Sequence, residues 1–219
     1  MKSLINRYAK LLAEVDRWFA LCQSRFPNAI ACGRGCSSCC RGLFDITLPD
    51  AALLRTGFNL LPLAGRKEIT EQAASRIETL RTVFPEFAPP FLLTGLPEEV
   101  CSRIMHEEDE TPCVLLDAAG LCLLYDYRPL TCRLHGLPLV DYSGEVMEEA
   151  SCPLNFPDQY PLGVTGLRSG FGELFRRETL LIAEFAAHTT GVATTQFDTL
   201  IPAALLVDWS RTCADDMAA

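Results

Sequence analysis

The chain has 219 residues, nearly half of them apolar, and a formal net charge of −9. That length supports one sizeable core or two small lobes, so folding need not hang on bound metal as it does in a short zinc finger. An acidic chain is ill suited to hold nucleic acid or an anionic membrane by electrostatics, and no run approaches the roughly 20 apolar residues of a membrane-spanning helix.

Residues 3–25 carry Leu4, Tyr8, Leu11, Val15, Trp18 and Cys22 at steps of three and four, with Ile5, Leu12 and Phe19 alongside. That spacing predicts an amphipathic helix ended by Phe26-Pro27. Arg7, Lys10, Glu14, Asp16 and Arg17 break the apolar residues, so the segment does not read as an export signal. The expected compartment is therefore cytoplasmic, where thiols stay reduced and more often bind metal. A disulfide framework is the alternative, and an odd count of eleven cysteines argues against it. Cys22 falls on the apolar stripe and reads as a buried thiol.

A Gly/Ser-rich loop at 31–42 follows and holds Cys32, Cys36, Cys39 and Cys40. LFDIT is then expected to be extended, with a helix opening at Thr47-Leu48-Pro49-Asp50, Thr47 or Leu48 lying near its cap and Pro49 suiting the first turn. Another helix is predicted over 66–83 through Ile69, Ala73, Ile77 and Leu80. Residues 84–97 contain four prolines and read as a surface connection; residues 97–107 read as a short helix, and Glu107-Glu108-Asp109-Glu110 as its solvated end. CVLLD and LCLLYD, parted by Ala118-Ala119-Gly120, suggest a hairpin carrying Cys113 and Cys122. Two closing helices are predicted at 166–189 and 195–212. The expected fold is mainly α: a helical scaffold in a single domain (1–219), with an irregular, cysteine-rich metal-binding lobe (31–157) containing a short β-hairpin. The helix at 3–25 and the helices within 166–212 flank that lobe.

The chemistry lies in eight cysteines. Cys32, Cys36, Cys39 and Cys40 are dense enough to aim several sulfurs at one point, as zinc and iron–sulfur loops do. Cys113, Cys122, Cys132 and Cys152 are spaced more widely, but Pro112 and Pro153 stiffen the chain beside two of them. Arg128 and Arg133 near Cys132 would offset thiolate charge, or would pair with Asp126 or Asp141. His135 is a possible ligand or hydrogen-bond donor to bound sulfur. Cys101 and Cys213 have no partner at ligand spacing. Two four-coordinate sites can be filled by eight thiols. Structural zinc favours pairs of short Cys-x2-4-Cys knuckles, and only the first group has one. That tips the reading toward an iron–sulfur cluster, with [4Fe–4S] preferred and Zn2+ the alternative.

Cys32-x3-Cys36-x2-Cys39 also matches the three-cysteine spacing of radical S-adenosylmethionine enzymes. That motif belongs after the first strand of a β/α barrel, and here a helix precedes it with no β/α alternation after. Taken together, CGRGCSSCC, Arg41, LPD, PCVLL, GLCLLYDYRPLTCR and Cys152 resemble the YkgJ-type cysteine-cluster family, a zinc- or iron-chelating domain of the form C-x3-C-x2-CC. The resemblance runs from Cys32 to Cys152 and implies metal binding. Flagellin lysine N-methylases look similar in carrying such a cluster, which implies that the domain can accompany a methyltransferase, but no Gly-rich nucleotide loop is visible here. The functions left open are a metal-cluster protein with a redox or structural role, a structural zinc protein, a metal-storage or transfer protein, and an S-adenosylmethionine-dependent enzyme. Metal ions are the expected partners; no catalytic constellation is visible apart from the metal site.

Overall fold

The computed structural model describes residues 1–107, 110–207 and 209. About half of these are helical, with two small antiparallel sheets and a cysteine-rich region of loops between them. Helix α1 (Lys2–Arg25) follows the predicted stripe: Leu4, Tyr8, Leu11, Leu12, Val15, Trp18 and Cys22 are all buried. Each large apolar side chain so covered contributes about 1.5–3 kcal/mol before entropy is counted. The Trp18 ring also donates its Nε1 proton to the Leu167 carbonyl at 2.8 Å, satisfying the indole while its face packs edge-on to Phe171.

Strand β1 (Asp45–Thr47) leads directly into α2 (Leu48–Leu60). Of the two cap candidates Thr47 is the N-cap, its Oγ1 accepting from the Asp50 amide at 3.3 Å, and Pro49 occupies the first turn, as the sequence predicts. This helix is buried along most of its length, from Leu48 to Leu54 and again at Gly57 and Phe58. It lies at the centre, against α1 and the later helices. Helix α3 (Leu63–Val83) starts three residues before the predicted position.

The proline-rich segment 84–97 departs from expectation. It has no helix or strand, yet it is not a surface connection: Phe84, Phe87 and Leu93 are buried among Ile77, Leu80 and Ile104. Proline blocks regular pairing but does not stop an aromatic side chain from anchoring a loop. Helix α4 (Glu98–Glu107) follows, and the acidic run beyond it lies partly outside the described residues.

After the cysteine lobe comes α6 (Phe171–Thr190), which buries Leu174, Leu181, Ile182 and Phe185. The long final helix predicted at 195–212 is not formed over the described residues. Asp198–Leu200 is instead strand β4, paired antiparallel with β1 in the register Ile46↔Thr199, and α7 (Ile201–Ala204) is a single turn. Phe197, Leu200, Ile201, Leu205 and Trp209, which fall within the predicted range, are nonetheless all buried. β1 offers Asp198–Leu200 a ladder of backbone partners, and that outweighs local helical preference. Among the described residues no helix is long and apolar enough to cross a membrane.

Candidate metal centre

Four loops and one short helix bring the cysteines together. In the 31–42 loop two consecutive turns, closed by Cys36 N to Gly33 O and Cys40 N to Ser37 O at 3.0 Å, fold Cys32, Cys36, Cys39 and Cys40 back on themselves. The end of this loop runs beside the start of the second cysteine segment. Gly42 N donates to Thr111 O at 2.8 Å and Cys113 N to Cys40 O at 2.9 Å, so Arg41 faces Pro112 and Cys40 faces Cys113. A buried guanidinium from α3, Arg76, seals this junction through the carbonyls of Pro112 and Gly42 at 3.1 and 3.0 Å.

The expected hairpin at 113–126 is reduced to a single bridge, Leu116 with Cys122, around a tight turn. Asp117 makes the turn: its Oδ1 accepts from the amides of Ala119 and Leu121 at 2.9 and 2.8 Å, and Gly120 takes φ 75°. The hairpin that does form in the lobe is β2 (Leu139–Val140) with β3 (Val146–Glu148). Cys132 sits on α5 (Leu130–Leu134), whose first amide, Leu130 N, donates to the buried Asp50 carboxyl at 3.0 Å. The cap of the central helix thereby also orients the helix that carries Cys132.

Cys32, Cys36, Cys39, Cys40, Cys113, Cys122 and Cys132 all line one cavity of about 400 Å3, together with Phe19, Phe44, Leu54, Leu115, Leu124 and Ile201. The sequence separates these thiols into two groups; the structure places both on one cavity. Cys152 lies just behind Cys32. A Cβ built on Gly136 would stand 2.9 Å from Cys32 Sγ and 3.8 Å from Cys152 Cβ, so only glycine, here at φ 109°, lets the two approach. All ten described cysteines are free thiols, and among the described residues no three Cys, His, Asp or Glu side chains converge closely enough for a single ion. The thiols ring a space.

Burial raises the Cys32 thiol to about 11, with Cys152, Cys36 and Cys39 adding to the rise. Burial likewise pushes Cys113 to about 11 and Cys132 well upward, the latter reinforced by Cys113, Cys122 and Cys39. Cys39 is also raised well above a free thiol, chiefly by a hydrogen bond with Cys40 and then by burial. Thiolates this crowded cannot coexist at neutral pH without a cation among them. The donor set, soft sulfur in an apolar wall, fits zinc or iron.

Arg128 and Arg133 both line the cavity, but their carboxylate partner is Asp16 on α1, not the predicted Asp126 or Asp141. Arg133 is buried and also donates to the carbonyls of Arg128 and Asp126 at 2.7 and 2.9 Å. Arg128 and Arg34 stack on Tyr125, 3.7 and 4.3 Å from its ring centre. His135 lines the cavity at the end of α5, and burial lowers its pKa. Cys22 is buried in α1, Cys101 points its thiol at the Leu93 carbonyl, and Cys213 lies outside the described residues.

One residue that sequence reading missed is Asn155. It is buried, and its side chain is fully used: Oδ1 accepts from the amides of Ala31 and Cys32 at 2.9 and 3.2 Å, while Nδ2 donates to Gly136 O at 2.6 Å and to Cys32 Sγ at 3.1 Å. An N–H···S bond of this kind both positions a ligand and favours its thiolate. Its only sequence signal is its place three residues after Cys152.

No curated protein and no solved structure matches the chain. A family model does, over residues 31–153, more than half of the sequence; it is described as "CxxCxxCC: Putative zinc- or iron-chelating domain". Its span begins one residue before Cys32 and ends one residue after Cys152, so it encloses every thiol gathered around the cavity and Cys152 behind it, and the chain belongs to this metal-chelating CxxCxxCC family.

Proposed function

We propose that the protein holds iron–sulfur clusters, of the [4Fe–4S] kind, through Cys32, Cys36, Cys39, Cys40, Cys113, Cys122, Cys132 and Cys152, for a redox or structural role. The observation that carries this reading is the cavity of about 400 Å3 with seven thiols around it. A cluster of several irons and sulfides occupies such a space, whereas a lone tetrahedral ion draws its sulfurs to about 2.3 Å from one point. The apolar wall from Phe19, Phe44, Leu54 and Ile201 borders the half-buried sulfurs, and solvent exposure is one of the levers by which proteins set a cluster's potential. The ten free thiols among the described residues also fit a reducing compartment, the cytosol.

The test is iron, zinc and acid-labile sulfide analysis, with an absorption spectrum, on protein purified without oxygen. The reading expects brown protein with iron and sulfide in about equal amounts. Colourless protein carrying zinc and no sulfide would replace it with a structural zinc role, and loosely held metal of variable count with storage or transfer.

A further inference from the structure

We infer that the eight cysteines divide between two centres in an order interleaved along the chain: Cys32, Cys36, Cys39 and Cys152 form one, and Cys40, Cys113, Cys122 and Cys132 the other. The inference rests on the metal-binding reading above and concerns how the ligands are shared. Proximity in sequence suggests a different division, the first four against the last four.

Three contacts argue for the interleaved one. Cys152 belongs with Cys32: the two flank Gly136 so closely that a methyl group there would strike Cys32 Sγ at 2.9 Å, and Asn155 joins them by receiving Cys32 N and donating to Cys32 Sγ while its own amide donates to Cys152 O at 2.9 Å. Cys40 belongs with Cys113, since the two stand opposite each other across an antiparallel step, with Cys113 N bonded to Cys40 O. Residues opposite one another in such a pair direct their side chains to the same face. Cys122 stands opposite Leu116, whose amide donates to Cys113 O at 3.0 Å, and Leu123 N donates to Leu115 O at 2.9 Å beside it. Cys36 and Cys39 sit in the two consecutive turns that follow Cys32, and Cys132 lines the cavity beside Cys113 and Cys122. The Cys39-Cys40 dipeptide is therefore the seam, with one sulfur for each centre and only one peptide bond between them.

Double substitutions in the full chain separate the two divisions by metal count. Cys36→Ser with Cys152→Ser removes ligands of one centre and leaves half of the wild-type metal; Cys132→Ser with Cys152→Ser strikes both and leaves none. The reverse, with the first pair empty and the second half loaded, overturns the inference. Labelling the wild-type protein keeps the test valid if a double variant does not fold. As a limiting chelator draws off metal, pulses of N-ethylmaleimide should find Cys152 becoming reactive in step with Cys32 and Cys36. Cys152 opening in step with Cys113, Cys122 and Cys132, or all eight opening together, overturns it. A wild-type chain that holds no metal would instead remove the proposed function itself.

Discussion

Two cavities of similar size lie close to α5, and they handle buried charge in opposite ways. One is the thiol cavity, of about 400 Å3. The other, of about 430 Å3, is lined by Asp45, Asp50, Glu148, Glu178 and Asp198, and His135 contributes to both. Burial pushes the carboxyl of Asp50 to about 7, Glu178 to about 8 and Asp198 to about 6, and neighbouring carboxylates add to the rise at Glu178 and Asp198. These acids answer crowding by keeping protons. Tyr8 and Thr47 complete a hydrogen-bonded network with them: the Tyr8 hydroxyl lies 3.2 Å from Thr47 Oγ1 and donates to Glu178 at 3.4 Å, and Thr47 Oγ1 donates to Asp50 at 3.3 Å. The thiol cavity has two arginines and the softer donor set, and metal would take the place of protons there. Equal volume does not make equal chemistry; the atoms at the wall decide.

The largest expected effect falls on the thiol side. Replacing Cys132 by serine removes a soft ligand, half-buried on α5, so the metal count falls and the cysteine lobe loses stability. Metal binding is folding free energy, of order 10 kcal/mol in small metal-dependent domains, though the separate apolar core of this chain reduces the share at risk. Metal analysis and a thermal melt of Cys132→Ser beside wild type check this. An unchanged metal count would mean that Cys132 is no ligand.

Next is Asn155. Its four hydrogen bonds tie the loops at 31, 136 and 155, so Asn155→Ala should cost about 2–4 kcal/mol in a denaturant melt and weaken metal retention about 10- to 100-fold. Asn155→Asp separates the two roles. It keeps an acceptor for Ala31 and Cys32 but swaps the N–H···S donor for a negative charge beside a thiolate. Metal retention should therefore fall further than in Asn155→Ala, and stability falls as well, because the same exchange sets an oxygen against the Gly136 carbonyl.

How far the sequence reveals this site depends on distance along the chain. The stripe of α1 and the Thr47–Pro49 cap were legible because both are set by residues within one or two turns of each other. All the cysteines later found around the cavity are visible as a pattern of types. Their sharing of one cavity is not, because it depends on contacts such as Cys113 with Cys40 and Asn155 with Cys32 that join distant segments. Asp16 as the partner of Arg133 was hidden for the same reason, and so was β4, whose strand character comes from β1. The hairpin at 113–126 shows the converse: Asp117 and Gly120 do make the expected turn, but the flanking strands do not extend beyond one bridge.

The carboxylate cavity predicts the pH response. All three acids bind protons more tightly in the native state than in the unfolded chain, where they titrate near pH 4. Between about pH 4 and 8 the native state thus holds more protons, so stability from this cavity falls as pH rises and then levels off. Each proton of difference is worth about 1.4 kcal/mol per pH unit. Urea melts should show a lower midpoint at pH 8 than at pH 5, and Glu178→Gln, which stays neutral throughout, should flatten the slope. A midpoint that rises over this range would contradict the account of these acids.

The smallest effect sharpens the comparison by testing a cysteine that belongs to neither cavity. Cys22 is buried on the α1 stripe and its thiol is pushed to about 11 by burial, much as Cys32 is. Desolvation alone therefore does not mark a ligand; what distinguishes Cys32 is that other thiols and the Asn155 amide surround it. Cys22→Ala should leave the metal count unchanged and cost about 1 kcal/mol through lost packing. Loss of metal in this variant, with the fold intact by circular dichroism, would show that the ligand set extends onto α1 and that the cavity wall was drawn too narrowly.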